Sequence, residues 1–369
     1  MPATDKRPVV LLLGKVPPPY MGPAVATRHI LDSRLNDHFR LIHQDTRLNR
    51  ELISMGRWAW RKPFRQIAIL AGLMGKILCY RPKLVWIPIS QATGGFLKDS
   101  LYILVSRTMG RKVLVHLRGS DFRNWLDQSP KWVNLYVRFV LRRCAGVIVL
   151  GECLRHLFEG FFPPERIFVV PNGADFSFPP RKHSGHPFRV LYLANLMTSK
   201  GIEDVVAAVA ILKERKISDF HLDVVGTWVE PDLRSRVIEK VHSQGLPVSF
   251  HPPATGEAKT RFFSDADVFV FTPRAPEGHP WVIVEALAAG LPIVATDKGA
   301  IPESVVHAEN GLLVEAKNPN QIAHALETLL TNKTLRESMG EQSLKKYQSS
   351  FTEKAMVNRL FRVLSSLCE

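Results

Sequence analysis

The chain is poor in cysteine: Cys79, Cys144, Cys153 and Cys368 are the only four in 369 residues, with no CxxC spacing. That excludes a disulfide-stapled scaffold, argues against structural zinc, and reads as reduced thiols of a cytoplasmic protein. Long apolar runs are also missing. The first, residues 9–13, is too short for a signal-peptide core or a membrane span, so neither export nor a transmembrane helix is expected. No GxGxxG follows the first strand candidate of either half, which disfavours a nicotinamide enzyme. There is no solenoid repeat and no aromatic RNA-binding motif. Asp265-Ala-Asp267 has the form of a metal-binding DxD but leads into an apolar run, and reads as a strand boundary. No metal is expected.

Acidic residues are scarce in one half only. Residues 1–180 hold 27 Lys and Arg against 12 Asp and Glu, a surplus equal to the net charge of +15 of the whole chain, while residues 181–369 hold 22 of each. The imbalance points to an anionic partner for the first half: a membrane surface, a phosphate-bearing acceptor or nucleic acid, with solubility alone as the plain alternative. Apolar residues make up 46% and charged residues 22%, a balance that excludes wholesale disorder. The length favours two cores over one.

Short β-branched runs at 9–14, 40–45, 84–89, 112–117, 146–150 and 167–170 alternate with helical patterns, the arrangement of a parallel sheet covered on both faces. A Pro-rich polar stretch follows, and the alternation restarts at 189–194, 221–226, 248–251, 267–271, 293–296 and 311–314. This predicts an α/β chain of two Rossmann-like, doubly wound parallel-sheet domains: residues 1–178, a linker 179–187, residues 188–350, and a C-terminal amphipathic helix at 351–369 packing back toward the first domain. Ligands of such sheets sit at the carboxyl ends of the strands, so a shared site is expected in a cleft between the domains.

The segment from Phe271 to Pro292 contains Glu277-Gly278-His279-Pro280 and Glu285 and reads as strand, loop, helix, stop. Pro280 suits a first helical turn, and Gly290 with Pro292 suits the end. The N-terminus of that helix, at residues 280–283, would attract a diphosphate through its dipole and its N–H groups. Glu285 could accept from ribose hydroxyls, and Glu277 would reach toward a sugar.

Two glutamates with this spacing, set in EALAAGLPIVATDKGAIPE with NGLLVE downstream, resemble the retaining glycosyltransferases of family 4, also described as glycosyl transferases group 1. The resemblance implies the GT-B fold, Glu277 beside the donor sugar, and Glu285 at the nucleotide ribose. It extends to Tyr192-Leu-Ala-Asn195-Leu-Met-Thr-Ser-Lys200, where Lys200 matches a residue that grips the donor diphosphate and Asn195 replaces the family's arginine. Gly226 and the loop 252–256 fall where the base is received, close to backbone. In the first half, the segment 14–26 resembles a loop that approaches the phosphates, with Gly22-Pro23 in place of a Gly-Gly pair. His116-Leu-Arg118-Gly resembles the active-site histidine motif, and strand alternation sends His116 and Arg118 to one side, leaving open which of them acts.

The resemblance implies a hexosyl transfer from a nucleotide-diphosphate sugar, without cofactor or metal, to a glycan or lipid-linked acceptor of cell-surface polysaccharide or glycolipid synthesis. The segment 57–65 mixes tryptophan with Lys and Arg and precedes an apolar helix pattern, which suits peripheral docking on the inner face of an anionic membrane; both tryptophans filling a groove is the alternative. No nucleic-acid partner is expected. Rival readings are a nucleotide-sugar epimerase of the same fold and a non-catalytic nucleotide- or glycan-binding protein.

Overall fold

Every one of the twelve strand candidates forms a strand, with ends displaced by no more than one residue. The computed structural model describes residues 5–18, 20–47, 61–179 and 187–369, without the side chains of 61–63. Residues 57–60 of the tryptophan-rich segment and 180–186 of the Pro-rich stretch lie outside the described residues. The chain forms two units, one of residues 1–174 with 353–369, the other of residues 175–352.

The first unit is built from β1 (Val9–Gly14), α1 (Gly22–Asp32), β2 (Arg40–Asp45), α2 (Arg61–Tyr80), β3 (Leu84–Ile89), α3 (Thr93–Thr108), β4 (Lys112–Leu117), α4 (Phe122–Asp127), α5 (Lys131–Leu141), β5 (Gly146–Val149) and β6 (Ile167–Val169). All its strands run parallel in the order β2-β1-β3-β4-β5-β6. The chain winds one way from β1 to β2, then returns past β1 to β3, so the topological switch lies between β1 and β3.

The second unit holds β7 (Phe188–Leu193), α6 (Ile202–Glu214), β8 (Phe220–Val225), α7 (Pro231–Ser243), β9 (Val248–His251), α8 (Gly256–Asp265), β10 (Val268–Phe271), α9 (Trp281–Ala288), β11 (Ile293–Thr296), α10 (Ile301–Ser304), β12 (Gly311–Val314), α11 (Pro319–Thr331) and α12 (Lys333–Ser350). Its order is β12-β11-β10-β7-β8-β9, again all parallel, which puts the switch between β7 and β10.

The strands of the second sheet are nearly continuous in apolar residues because both faces are buried. Val190, Tyr192, Val268 and Val270 join one core, and Leu191, Leu193, Phe269 and Phe271, one residue out of step, join the other with Ile283 and Val284 of α9. At about 1.5–3 kcal/mol for each fully buried large side chain, these alternate residues fix the register of β7 and β10 and so the positions of the loops that follow them.

After α12, helix α13 (Glu353–Cys368) belongs to the first unit. Its Met356, Leu360 and Leu364 pack with Val10, Leu84 and Trp86, and the Glu353 carboxylate accepts from the Arg34 N–H at 2.9 Å. Among the described residues no helix is long and apolar enough to cross a membrane.

Candidate functional site

The loops leaving β7 and β10 meet at the switch point of the second sheet. Lys200, at the end of a short 3-10 turn after β7, donates from Nζ to Glu277 Oε1 on the loop after β10. The same ammonium lies 5.8 Å from the centroid of the Phe271 ring, within cation–π range. Each loop is fixed from behind. Glu230 accepts from the Thr198 N–H at 3.2 Å and its hydroxyl at 2.6 Å, holding the turn that carries Lys200. Arg274 grips both oxygens of Asp204, at 2.7 and 2.6 Å, and one of Glu203 at 3.0 Å, tying the β10 loop to the first turn of α6. Those bonds raise the Arg274 pKa, Asp204 first among the causes. Arg274 is therefore a strut, with its charge already answered.

Two glycines let these loops approach. A Cβ on Gly201 (φ 78°) would collide with the Thr272 carbonyl, and one on Gly299 (φ 59°) with that of Glu277. The Gly278 carbonyl in turn accepts from the Ala300 N–H at 2.9 Å. Glu277 is thus held through its backbone as well as through Lys200.

Helix α9 begins at Trp281, with Pro280 as its cap: the Pro280 carbonyl receives the N–H groups of Ile283 at 3.1 Å and Val284 at 3.4 Å. At the other end the Gly290 N–H bonds Leu287 and that of Leu291 bonds Ala286, with Gly290 left-handed at φ 64°, the closure the Gly and Pro signals predict. Glu285 lies in this helix and is 92% buried, being 8% exposed. Its Oε1 accepts from Lys259 Nζ of α8 at 2.5 Å, and its Oε2 is buried with no partner. The Thr272 hydroxyl, where β10 ends, is likewise buried and unpartnered. Buried polar atoms are rarely left so, and two of them lie where β10 and α9 frame the switch point.

The other expected donor residues are placed differently. The His279 ring is turned into the unit, bonded to the Ser304 hydroxyl at 2.7 Å and tilted on Phe351 at 5.0 Å. Gly226 follows β8 directly, under the Ala194 carbonyl, which a Cβ there would strike, so the packing at the strand's end demands the glycine. Asn195 is half-buried in the loop after β7. Among the described residues no group of His, Cys, Asp and Glu is arranged to hold a metal ion; Asp267 accepts instead from the Arg189 N–H at 2.9 Å.

In the first unit a cavity of about 450 Å³ opens at the carboxyl ends of β1, β3 and β4, at that sheet's switch point. Lys15, Lys98, Asp99 and Arg118 supply its charge. Asp99 is buried and committed: it accepts from the Ser90 N–H at 2.8 Å and hydroxyl at 2.7 Å, and pairs with Lys98 at 2.5 Å. Lys15 has no hydrogen-bond partner among the described residues, and burial, then Lys98, lowers its pKa.

Arg118 donates to the Pro23 carbonyl and to Thr27 Oγ1, the latter at 2.7 Å, clamping the start of α1 beside Gly22. Its Nε and Nη2 are buried without partners, and burial pushes its pKa down to about 9. Pro23, in the first turn of α1, removes an N–H that has no intrahelical partner in any case. His116 points to the same side as Arg118 but is absent from the cavity wall: it stacks on Trp86 at 5.7 Å with both ring nitrogens sealed from solvent and unbonded. Burial and then Arg118 hold its pKa well below 6.5, so the ring is neutral.

Sequence reasoning missed Lys259, Thr272, Glu230 and Arg274. Lys259 pairs with the Glu285 carboxylate, the Thr272 hydroxyl is buried where β10 ends, and Glu230 and Arg274 brace the loops through partners 32 to 71 residues away in sequence.

Residues 174–346 match the family model described as glycosyl transferases group 1. Over 200 residues the chain is 30% identical to a D-inositol 3-phosphate glycosyltransferase of Pseudarthrobacter chlorophenolicus, an alignment covering 50% of this chain and 47% of that protein. Over 179 residues it is 26% identical to spore coat protein SA of Bacillus subtilis, covering 47% and 48%. The aligned region spans about half the length of these curated relatives. Two solved structures share the fold over nearly their whole length: sucrose-phosphate synthase from Thermosynechococcus elongatus, with a TM-score of 0.77 at 18% identity, covering 98% of this chain and 99% of that one, and the Anabaena protein HepE in complex with UDP-glucose, also 0.77 at 18%, covering 97% and 99%. The chain has the two-domain GT-B fold, and its residues 174–346 match the group 1 glycosyltransferases.

Proposed function

We propose that the chain is a retaining glycosyltransferase, moving a hexose-type sugar from a nucleotide-diphosphate sugar held by the second unit to a glycan or lipid-linked acceptor held by the first. The observation that carries the reading is the Glu285 carboxylate. One oxygen is taken by Lys259, while the other is buried with no partner, on the helix that follows the loop carrying Glu277 and its Lys200 partner. A neutral polyol answers that need without adding charge: a ribose hydroxyl donates to Oε2, and the carboxylate remains balanced by Lys259. HepE, of the same fold, was solved with UDP-glucose, which supports a nucleotide sugar as donor.

As the bond from sugar to diphosphate breaks, negative charge grows on the departing phosphate oxygen. Lys200 has three N–H donors, so it can keep Glu277 and still meet that oxygen, and the α9 N-terminus adds its dipole. Glu277, held by Lys200 and by the backbone around Gly299, then orients the sugar. As the resemblance to retaining enzymes implies, the acceptor attacks the face the phosphate leaves, with the phosphate taking the acceptor's proton. In the first unit, Arg118 and Lys15 at the cavity wall meet the acceptor, and His116 packs beneath. The work fits synthesis of a cell-surface polysaccharide or glycolipid on the cytoplasmic side of a membrane.

Product stereochemistry is the test. NMR of the transferred anomeric centre should show the donor's configuration kept, and Lys200→Ala should lower kcat by on the order of 100- to 1,000-fold, as for removal of an oxyanion donor. Inversion would contradict the reading, and conversion of the donor sugar without any acceptor would mark an epimerase instead.

A further inference from the structure

The first unit leaves three neighbouring helices, α2, α3 and α5, with large apolar side chains turned to solvent. On α2 these are Phe64, Ile67, Met74 and Leu78, a three-four spacing that draws one stripe down the helix; Phe64 is 74% exposed and Leu78 67%. A separate stripe of α2, Ile69, Leu73 and Ile77, is the one packed inward. On α5 the same division recurs: Val133, Val137 and Val140 are buried, whereas Trp132, Leu135 and Phe139 face out, Leu135 72% exposed. Helix α3 packs against both α2 and α5, and exposes Leu97 and Leu101. Singly exposed apolar residues are ordinary, but stripes on three adjoining helices are not.

The charge on these helices is of one sign. Together they carry eight Lys and Arg, and their single carboxylate is Asp99, which is buried and paired with Lys98. The Arg143 guanidinium, just past α5, lies 3.5 Å from the centroid of the Phe139 ring, a cation set directly against an outward aromatic. Two copies meeting through this face would bring cation against cation with no carboxylate on the helices to answer them. An anionic lipid surface supplies the negative charge and takes up the apolar side chains, with the Lys and Arg stems lying along it.

We infer that the α2, α3 and α5 face of the first unit docks on anionic lipid bilayers, the apolar stripes entering the headgroup boundary and the flanking cations binding lipid phosphates. The docking stands apart from the proposed reaction; that the acceptor is met at the lipid surface rests on that reading.

The full chain is floated with vesicles of phosphatidylcholine alone and of phosphatidylcholine mixed with phosphatidylglycerol, at low and high salt, with its oligomeric state measured in parallel. It should float with the anionic vesicles only, less so at high salt. The combined variant Trp132→Ser, Leu135→Ser, Phe139→Ser should bind about tenfold or more weakly, as the burial of even one such side chain implies, and Lys131→Ser with Arg143→Ser should lose the anionic preference. Both variants alter surface positions, and their retained nucleotide-sugar binding separates loss of docking from loss of the reaction. No flotation with anionic vesicles, flotation undiminished in the apolar variant, or a wild-type dimer that this variant turns into a monomer would each overturn the inference.

Discussion

Glu285 and Glu277 are close in sequence, but the groups that give them their chemistry are not. The pair was legible because an eight-residue spacing across a loop and a helix start is local information. Lys259 was not, since nothing in a solvated-looking Gly256-Glu-Ala-Lys259 stretch shows that α8 returns its fourth residue to α9. Lys259→Ala leaves Glu285 a buried charge without a counter-ion, and should lower unfolding stability by about 1–3 kcal/mol, read by denaturant titration, together with donor affinity. Gly299→Ala forces a side chain into a left-handed position against the Glu277 carbonyl. It should cost about 1–2 kcal/mol from the backbone alone and reduce transfer further by moving Glu277, which activity assayed well below the melting temperature would separate.

His116 shows the opposite limit: a motif resemblance marked it, yet the fold seals it against Trp86. Its folded pKa lies below its ordinary value of 6.5, so the unfolded chain takes up a proton that the folded chain refuses. Stability is therefore fully present above the ordinary value of 6.5 and declines as the pH falls below it toward the lowered folded value. His116→Phe, which keeps a ring on Trp86, should flatten this acid limb of the stability profile; an unchanged limb would show that the histidine is not its source.

At the scale of elements, short apolar runs set between helical patterns identified the strands, because parallel sheets covered on both faces leave near-continuous apolar runs. Helix ends were legible where Gly and Pro act alone, as at Gly290, and displaced by one residue where a cap was needed, as at Pro280. The outward stripe of α5 was not legible. In Lys-Trp-Val-Asn-Leu-Tyr-Val-Arg-Phe-Val-Leu the core and solvent stripes are both apolar, and only the sheet beneath decides which is which. The clamp at α1 was hidden for the same reason, since Arg118 reaches Pro23 and Thr27 across the carboxyl ends of the central strands. Arg118→Ala should release the first turn of α1, seen as faster hydrogen exchange at its amides while β4 exchanges as before.

For the molecule as a whole, charge was the most informative single number, because an imbalance confined to residues 1–180 survives any folding of the chain. Its distribution was not readable: part lines the Lys15 and Arg118 cavity and part borders the outward stripes of α2, α3 and α5. The second unit, residues 175–352, holds 19 Lys and Arg against 21 Asp and Glu and relies on local pairs such as Lys200–Glu277 and Lys259–Glu285. Its donor binding should accordingly depend weakly on salt, whereas events on the first unit should weaken as salt rises.

The most direct measurement is calorimetric titration of nucleotide-diphosphate sugars into the wild-type chain and Glu285→Ala. One donor should bind the wild type with a dissociation constant on the order of micromolar, and this binding should be lost in a variant that stays folded. Equal affinity in the two proteins, or no binding by any nucleotide sugar to the folded wild type, would contradict it.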